Sequence, residues 1–209
     1  MSQYICVDIG GTSIKHGVLD ENAIIKECNQ TKTEAWLGGA AVLDKVKTIG
    51  KQYKEQYENI EGICISTAGM VDPEEGKIVF AGELMPGYTG TCIKKELEKA
   101  LEMPCEVEND VNCAGLAEYV SGSAKESHIM FCATVGTGIG GCAIVNGRVF
   151  HGASNSACEV GYIPMGDSDF QTLGASSILV RKVAEKKIEP LDMWDGKKIF
   201  ALAEKGDKV

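Results

Sequence analysis

The sequence predicts an α/β fold with a mostly parallel core sheet, organised as two similar lobes. Three observations support this. Short apolar runs of strand length alternate with amphipathic stretches of helical period. Residues 128–150 repeat the pattern that opens the chain. The 25 glycines among 209 residues cluster where the repeated runs end, and their share of about 12% exceeds the usual value of about 7%.

Residues 4–9 (YICVDI) form an apolar run that ends in Gly10-Gly11-Thr12. A second run covers 13–19, the polar turn Asp20-Glu21-Asn22 follows, and Ala23-Ile24-Ile25 starts a third strand. Val42, Val46, Ile49 and Tyr53 recur at helical spacing within 40–57, with Lys and Gln between them. Residues 61–66 (EGICIS) read as a buried strand, broken by Ala68-Gly69 and Asp72-Pro73. Ile93, Leu97 and Leu101 line one face of a helix that Met103-Pro104 ends. Cys105 to Glu108 is a short strand, and Asn109-Asp110 opens a helix over 111–120.

The repeat sets the organisation. A shift of 126 positions without a gap places Ile5-Cys6-Val7 on Phe131-Cys132-Ala133 and Ile9-Gly10 on Val135-Gly136. It also places Val18-Leu19-Asp20 on Ile144-Val145-Asn146. Two lobes that each open on a β-hairpin with a glycine-rich tip follow from this duplication. We divide the chain into a first lobe over 1–117 and the start of a second over 118–209.

Composition narrows the function. Hydrophobic residues at 44% and charged residues at 24% are ordinary for a globular chain. No apolar run reaches the roughly 20 residues of a membrane span. Met1-Ser2-Gln3-Tyr4 offers neither the charged nor the apolar region of a secretory leader. The net charge of −9 opposes nucleic-acid binding, which needs a basic field. None of the nine cysteines stands at C-x-x-C spacing, and several lie within apolar strands. They are expected to be buried, reduced thiols of a cytoplasmic protein.

Three constellations can carry chemistry. In Asp8-Ile9-Gly10-Gly11-Thr12, two glycines at a turn let backbone N–H groups approach an anion. Thr12 adds a hydroxyl, and Asp8 can hold Mg²⁺ directly or through water. A tight hairpin with a capping Asp has the same residues. In Thr134-Val135-Gly136-Thr137-Gly138-Ile139-Gly140-Gly141, the spacing fits neither a P-loop nor a dinucleotide fingerprint. Its place at the repeat-equivalent of the first turn makes it a second candidate phosphate cradle. In Glu108-Asn109-Asp110, an Asp at the carboxyl end of a strand can accept a proton from a substrate hydroxyl. Asn or Asp at that junction serves equally as a helix N-cap.

Together these segments resemble the ROK family of sugar kinases and related repressors, in the actin/hexokinase-like superfamily. The resemblance rests on Asp8-Ile9-Gly10-Gly11-Thr12, on Glu108-Asn109-Asp110 with Asn112, and on the stretch from Gly136 to Tyr162. That stretch carries the family's glycines at Gly136, Gly138, Gly147, Gly152 and Gly161. The likeness implies an actin-like, ribonuclease H-like two-lobed ATPase fold. It also implies ATP and Mg²⁺ as cofactors, a sugar as substrate and, as is common in that family, a homodimer. Gly10, Gly11 and Thr12 would hold ATP phosphates from one lobe, and Gly136, Thr137 and Gly138 from the other. Asp8 would position Mg²⁺, Asp110 would be the general base, and Asn109 and Glu159 would bind sugar hydroxyls.

Two departures qualify the likeness. Tyr162 stands where most of the family has His, and residues 163–171 lack the cysteines of the family's zinc loop. Zinc is therefore not expected, and the pattern is similar to the zinc-free branch that includes β-glucoside kinases. Gln171 is the nearest candidate for the family's second sugar-binding Glu. Family members also continue for roughly another third of length, so the second lobe is expected to be incomplete. The leading expectation is phosphorylation of a hexose or glucoside, at the 6-hydroxyl. The alternatives are a non-catalytic sugar-binding fragment and a sugar-responsive regulator. For the regulator, the seven residues ahead of Asp8 leave no room for a DNA-binding helix-turn-helix.

Overall fold

The computed structural model describes residues 1–207, in two units, Met1–Cys113 and Ala114–Val209. The division falls inside a helix that spans both the 113/114 and the 117/118 positions.

Unit 1 opens with strands β1 (Gln3–Ile9), β2 (Ser13–Asp20) and β3 (Ile25–Lys32), followed by helix α1 (Gly39–Gln56) and strand β4 (Ile60–Thr67). A small hairpin of β5 (Met70–Asp72) and β6 (Lys77–Phe80) precedes helix α2 (Ile93–Leu101), strand β7 (Cys105–Asn109) and helix α3 (Asp110–Ser121). The main sheet has the order β3-β2-β1-β4-β7. β1 pairs antiparallel with β2 and parallel with β4, and β4 pairs parallel with β7. The sheet is thus mixed rather than mostly parallel. Short turns join the first three strands, and only antiparallel neighbours can be joined so tightly.

The alternation of side chains decides where the core sits. Ile5, Val7 and Ile9 of β1 and Ile63 and Ile65 of β4 face one side and are buried. Against them pack Val42, Val46, Ile49 and Tyr53 of α1 and Ile93, Leu97 and Leu101 of α2. Both helices bury the faces that their apolar spacing predicts. The third strand differs from expectation. It runs over Ile25–Lys32 rather than from Ala23, which has φ 59° in the turn. β3 is an outer strand paired only with β2, so its side chains stay largely exposed and show no apolar alternation.

The cysteines also depart from expectation. Only Cys105 and Cys142 are buried, while Cys28 and Cys64 are exposed. Cys6 and Cys64 are register partners on β1 and β4, on the face turned away from the core. A thiol within an apolar strand is buried only when its parity matches the core face.

Unit 2 holds strands β8 (Ile129–Val135), β9 (Ile139–Val145) and β10 (Arg148–Val149), in the order β10-β9-β8. Asn146-Gly147, with φ 49° and 80°, makes the tight β9–β10 turn in the left-handed conformation that this dipeptide favours. Helices α4 (Phe170–Gly174), α5 (Ser176–Lys187) and α6 (Gly196–Glu204) follow. Gly115 of α3 lies tight on β9, where an added Cβ would stand 2.5 Å from the Cys142 sulfur.

The internal repeat is present, but it carries a gap. Ile9 pairs with Ile14 in the first hairpin, and Val135 with Ile139 in the second. The second turn is therefore one residue shorter. Val18 corresponds to Ala143, opposite Phe131, and not to Ile144 as the ungapped shift has it.

Candidate active site

In unit 1, the β1–β2 turn closes by a hydrogen bond from the Gly10 N–H to the Ser13 carbonyl at 3.1 Å. The fully buried Thr33 fixes it from below. Its hydroxyl donates to the Gly10 carbonyl at 2.6 Å, and its N–H donates to the Thr12 carbonyl at 3.1 Å. Gly11 and Thr12 stay exposed, and a Cβ added at Gly11 would meet no atom within 4 Å. The turn therefore presents open space bordered by backbone N–H groups and a hydroxyl, a geometry that suits an anion. Asp8 precedes it on the non-core face, and its Oδ1 accepts from the Ser66 hydroxyl at 2.8 Å. An oxygen donor with one lone-pair direction already fixed is suited to hold a hydrated Mg²⁺.

The β7–α3 junction lies in the same unit. Asn109 Oδ1 accepts from the N–H groups of Val111 (2.9 Å) and Asn112 (3.1 Å), so Asn109 caps α3. Its Nδ2 donates to the Gly69 carbonyl at 3.0 Å and to Asp110 Oδ1 at 2.9 Å. Both the capping and the proton-accepting readings of this junction thus find residues, divided between neighbours. Glu108 Oε1 accepts from the Asn109 N–H at 2.7 Å and from Asn112 Nδ2 at 3.0 Å. Asp110, the first residue of α3, remains open to solvent. The protein packed around its carboxyl strips part of its hydration and raises its pKa above the ordinary value. The negative charge of Asp8 pushes the same way, and the Val111 N–H hydrogen bond opposes both. A carboxylate held above its usual range is a better proton acceptor near neutral pH.

In unit 2, the Gly136 N–H donates to the Gly138 carbonyl at 2.9 Å, closing the β8–β9 turn. The start of α5 grips this turn. The Ser176 N–H donates to the Gly136 carbonyl at 2.9 Å, and the Ser177 hydroxyl to the Thr137 carbonyl at 2.7 Å. The positive end of a helix thus stands beside a glycine turn whose Gly136 is open above. The segment 158–162 lies flat against β9. A Cβ at Gly161 would come within 2.2 Å of the Ile139 carbonyl oxygen, and one at Gly141 within 2.6 Å of the Cys158 carbonyl oxygen. Only glycine permits either approach. That contact sets the half-buried Glu159 just ahead of the single 3-10 turn Val160–Tyr162, with Tyr162 exposed. Gln171 of α4 places its Oε1 beside Gly138 and Gly161, 2.9 and 3.3 Å from where their Cβ atoms would be.

Unit 1 therefore gathers Asp8, the Gly10–Thr12 turn, Asn109 and Asp110. Unit 2 gathers the Gly136–Gly138 turn, Glu159, Tyr162 and Gln171. The residues that hold these groups, Thr33, Ser66, Ser176 and Ser177, are invisible to sequence reasoning. Each acts on a partner more than twenty positions away, and an isolated Ser or Thr gives no local signal.

A five-stranded mixed sheet in this order, with its opening hairpin repeated in a second unit, defines an actin-like α/β protein. Residues 4–209 match the ROK family profile, and the chain belongs to that family. It is 48% identical over 210 residues to an uncharacterised Clostridium perfringens protein, covering all of this chain and 70% of the relative. It is 31% identical to a Listeria monocytogenes β-glucoside kinase, covering 97% of this chain and 69% of the relative. Among solved structures, a Streptomyces griseus ROK glucokinase in complex with glucose and AMPPNP superposes with a TM-score of 0.84 at 26% identity. That match covers 99% of this chain and 72% of the glucokinase.

Proposed function

We propose that this chain carries the catalytic machinery of an ATP-dependent sugar kinase acting on the 6-hydroxyl of a hexose or glucoside. The observation that carries the reading is the Asp110 carboxyl, solvent-accessible at the head of α3 and raised in pKa, in the same unit as the open Gly10–Thr12 turn. A likeness to β-glucoside kinases and glucokinases supports it.

In this reading ATP supplies the transferable phosphoryl group, and Mg²⁺ neutralises charge on its phosphates. Gly11 and Thr12 would offer phosphate oxygens backbone N–H groups and a hydroxyl, as would Thr137 and Gly138, while the N–H groups of Gly10 and Gly136 close their turns. Asp8 orients the cation. Asp110 accepts the proton of the attacking sugar hydroxyl. Glu159, Tyr162 and Gln171 bind the sugar ring. Asn109 already uses both amide hydrogens and two acceptor directions, so a contact from it to a sugar replaces one of those bonds.

The test is ADP release with Mg-ATP over glucose, fructose, mannose, N-acetylmannosamine, cellobiose and an aryl β-glucoside. Sugar-dependent release names the substrate class, and its absence with every sugar overturns the reading. The pH dependence follows from the raised Asp110 pKa. Below that value the carboxyl is protonated and cannot take the hydroxyl proton. We expect the Asp110 carboxyl of the nucleotide- and metal-free protein, followed by NMR, to titrate with a midpoint above the ordinary 3.8. Asp8→Asn removes a like charge, so it should move the midpoint down; an unmoved midpoint would separate Asp8 from Asp110.

A further inference from the structure

β1 and β4 carry a pair of thiols on the face turned away from the core. Cys6 and Cys64 are register partners on these neighbouring parallel strands. Paired strands run about 4.8 Å apart, inside the roughly 4.4–6.8 Å of Cα separation that a disulfide spans. The Cys6 thiol donates a hydrogen bond to the Cys64 sulfur. Cys64 is exposed and Cys6 half-buried. An accessible thiol with a second thiol at its side is the arrangement that oxidises reversibly.

The other cysteines define the contrast. Cys28 is exposed as well, but Gly17 stands opposite it on β2. Cys132 and Cys142 are also register partners, but Cys142 is fully buried against Gly115. Cys113 of α3 is half-buried near Cys6. Cys64 alone joins exposure to a register-paired thiol. The hydrogen bond from Cys6 also holds the Cys64 pKa below the ordinary thiol value, with burial and the Glu106 charge opposing it. The thiolate is the nucleophilic form.

We propose that Cys64 and Cys6 form a site of reversible oxidation by hydrogen peroxide, in which Cys64 reacts first and Cys6 resolves it into a disulfide tying β1 to β4. In the first step the Cys64 sulfur attacks one peroxide oxygen. An S–O bond forms, the O–O bond breaks, and the leaving hydroxide takes the thiol proton as water. In the second step the Cys6 sulfur attacks Cys64. The S–S bond forms, the S–O bond breaks, and hydroxide leaves with the Cys6 proton as a second water. Each sulfur has then given up one electron, and the peroxide is reduced to two waters. The pair lies two positions ahead of Asp8 and Ser66, themselves register partners, so the modification falls on the stretch of sheet that carries Asp8.

The test treats the folded 209-residue chain with one equivalent of hydrogen peroxide, alkylates the remaining thiols and maps the unreduced peptides by mass spectrometry. Cleavage after Lys15, Lys54 and Lys77 leaves Cys6 and Cys64 each as the sole cysteine of its peptide. The expected product is a Cys6–Cys64 link that dithiothreitol removes, formed about tenfold or more faster than oxidation at Cys28. In Cys6→Ser, which keeps a hydrogen-bond donor, Cys64 should stop at the sulfenic acid and be trapped by dimedone. In Cys64→Ser, Cys6 should oxidise no faster than Cys28. Three results overturn the proposal. One is oxidation at Cys64 no faster than at Cys28, with no link. Another is a link from Cys64 to Cys113 in place of Cys6. The last is a Cys132–Cys142 link that forms first, which would mean that exposure does not select the site. None of these readouts involves phosphoryl transfer, so the proposal stands or falls apart from the kinase reading.

Discussion

Asp110→Asn is expected to lower sugar-dependent ADP release by about 10²- to 10⁴-fold, the usual contribution of a positioned general base. Sugar affinity should change little. The substitution keeps the volume and an oxygen at Oδ1, so the hydrogen bonds from the Val111 N–H and Asn109 Nδ2 survive. What is lost is the ability to take a proton, together with the like charge facing Asp8. The two effects separate experimentally. Turnover reports the proton transfer, whereas the dissociation constant for the sugar, measured without nucleotide, reports the integrity of the junction. Turnover within a few-fold of the parent would remove Asp110 from the role. A collapse in both quantities would indicate that the α3 cap had failed rather than the chemistry.

Leu97→Ala is expected to be the most damaging single change in unit 1. Leu97 sits fully buried where α2 meets the sheet, and truncation there removes apolar contact and leaves a cavity, at a cost of about 2–5 kcal/mol. Because the chain has two units, one global unfolding curve would blur the effect. Amide exchange at Ile5, Ile63 and Ile65, which share the buried cluster with Leu97, reads it locally. Their opening free energies should drop by about 2–5 kcal/mol. The exposed Leu84, replaced by Ala, should change them by less than about 0.5 kcal/mol. A drop below about 1 kcal/mol at Leu97 would mean that the site refills by repacking, at the low end of what such truncations show.

What the sequence disclosed depended on how local the signal was. α1 and α2 were legible because a 3.6-residue apolar period is written within one segment, and Val42 to Tyr53 and Ile93 to Leu101 bury the faces so marked. β3 was misplaced because an outer strand needs no apolar face, and IKECNQTK has none. Cys6 and Cys64 look like core residues by neighbourhood but fall on the other parity. The glycine turns were legible as turns. Their support from Thr33 and from Ser176 and Ser177 was not, since those partners meet only after folding. Gly161 was legible as a family residue, but its reason, the close passage of the Ile139 carbonyl, exists only in three dimensions.

The missing residue in the second hairpin turn bears on how such halves diverge. Side chains along a strand alternate between faces, so a deletion within β9 would have turned every following side chain inside out. Placed in the turn, the same deletion left Ala143 opposite Phe131 just as Val18 stands opposite Ile5. Turns are thus where ancient duplicates can change length without scrambling inside and outside. An alignment of the two halves that refuses a gap there shifts the register by one along the whole second strand, pairing Val18 with Ile144 instead of Ala143. Any estimate of how fast the halves have drifted apart inherits that error.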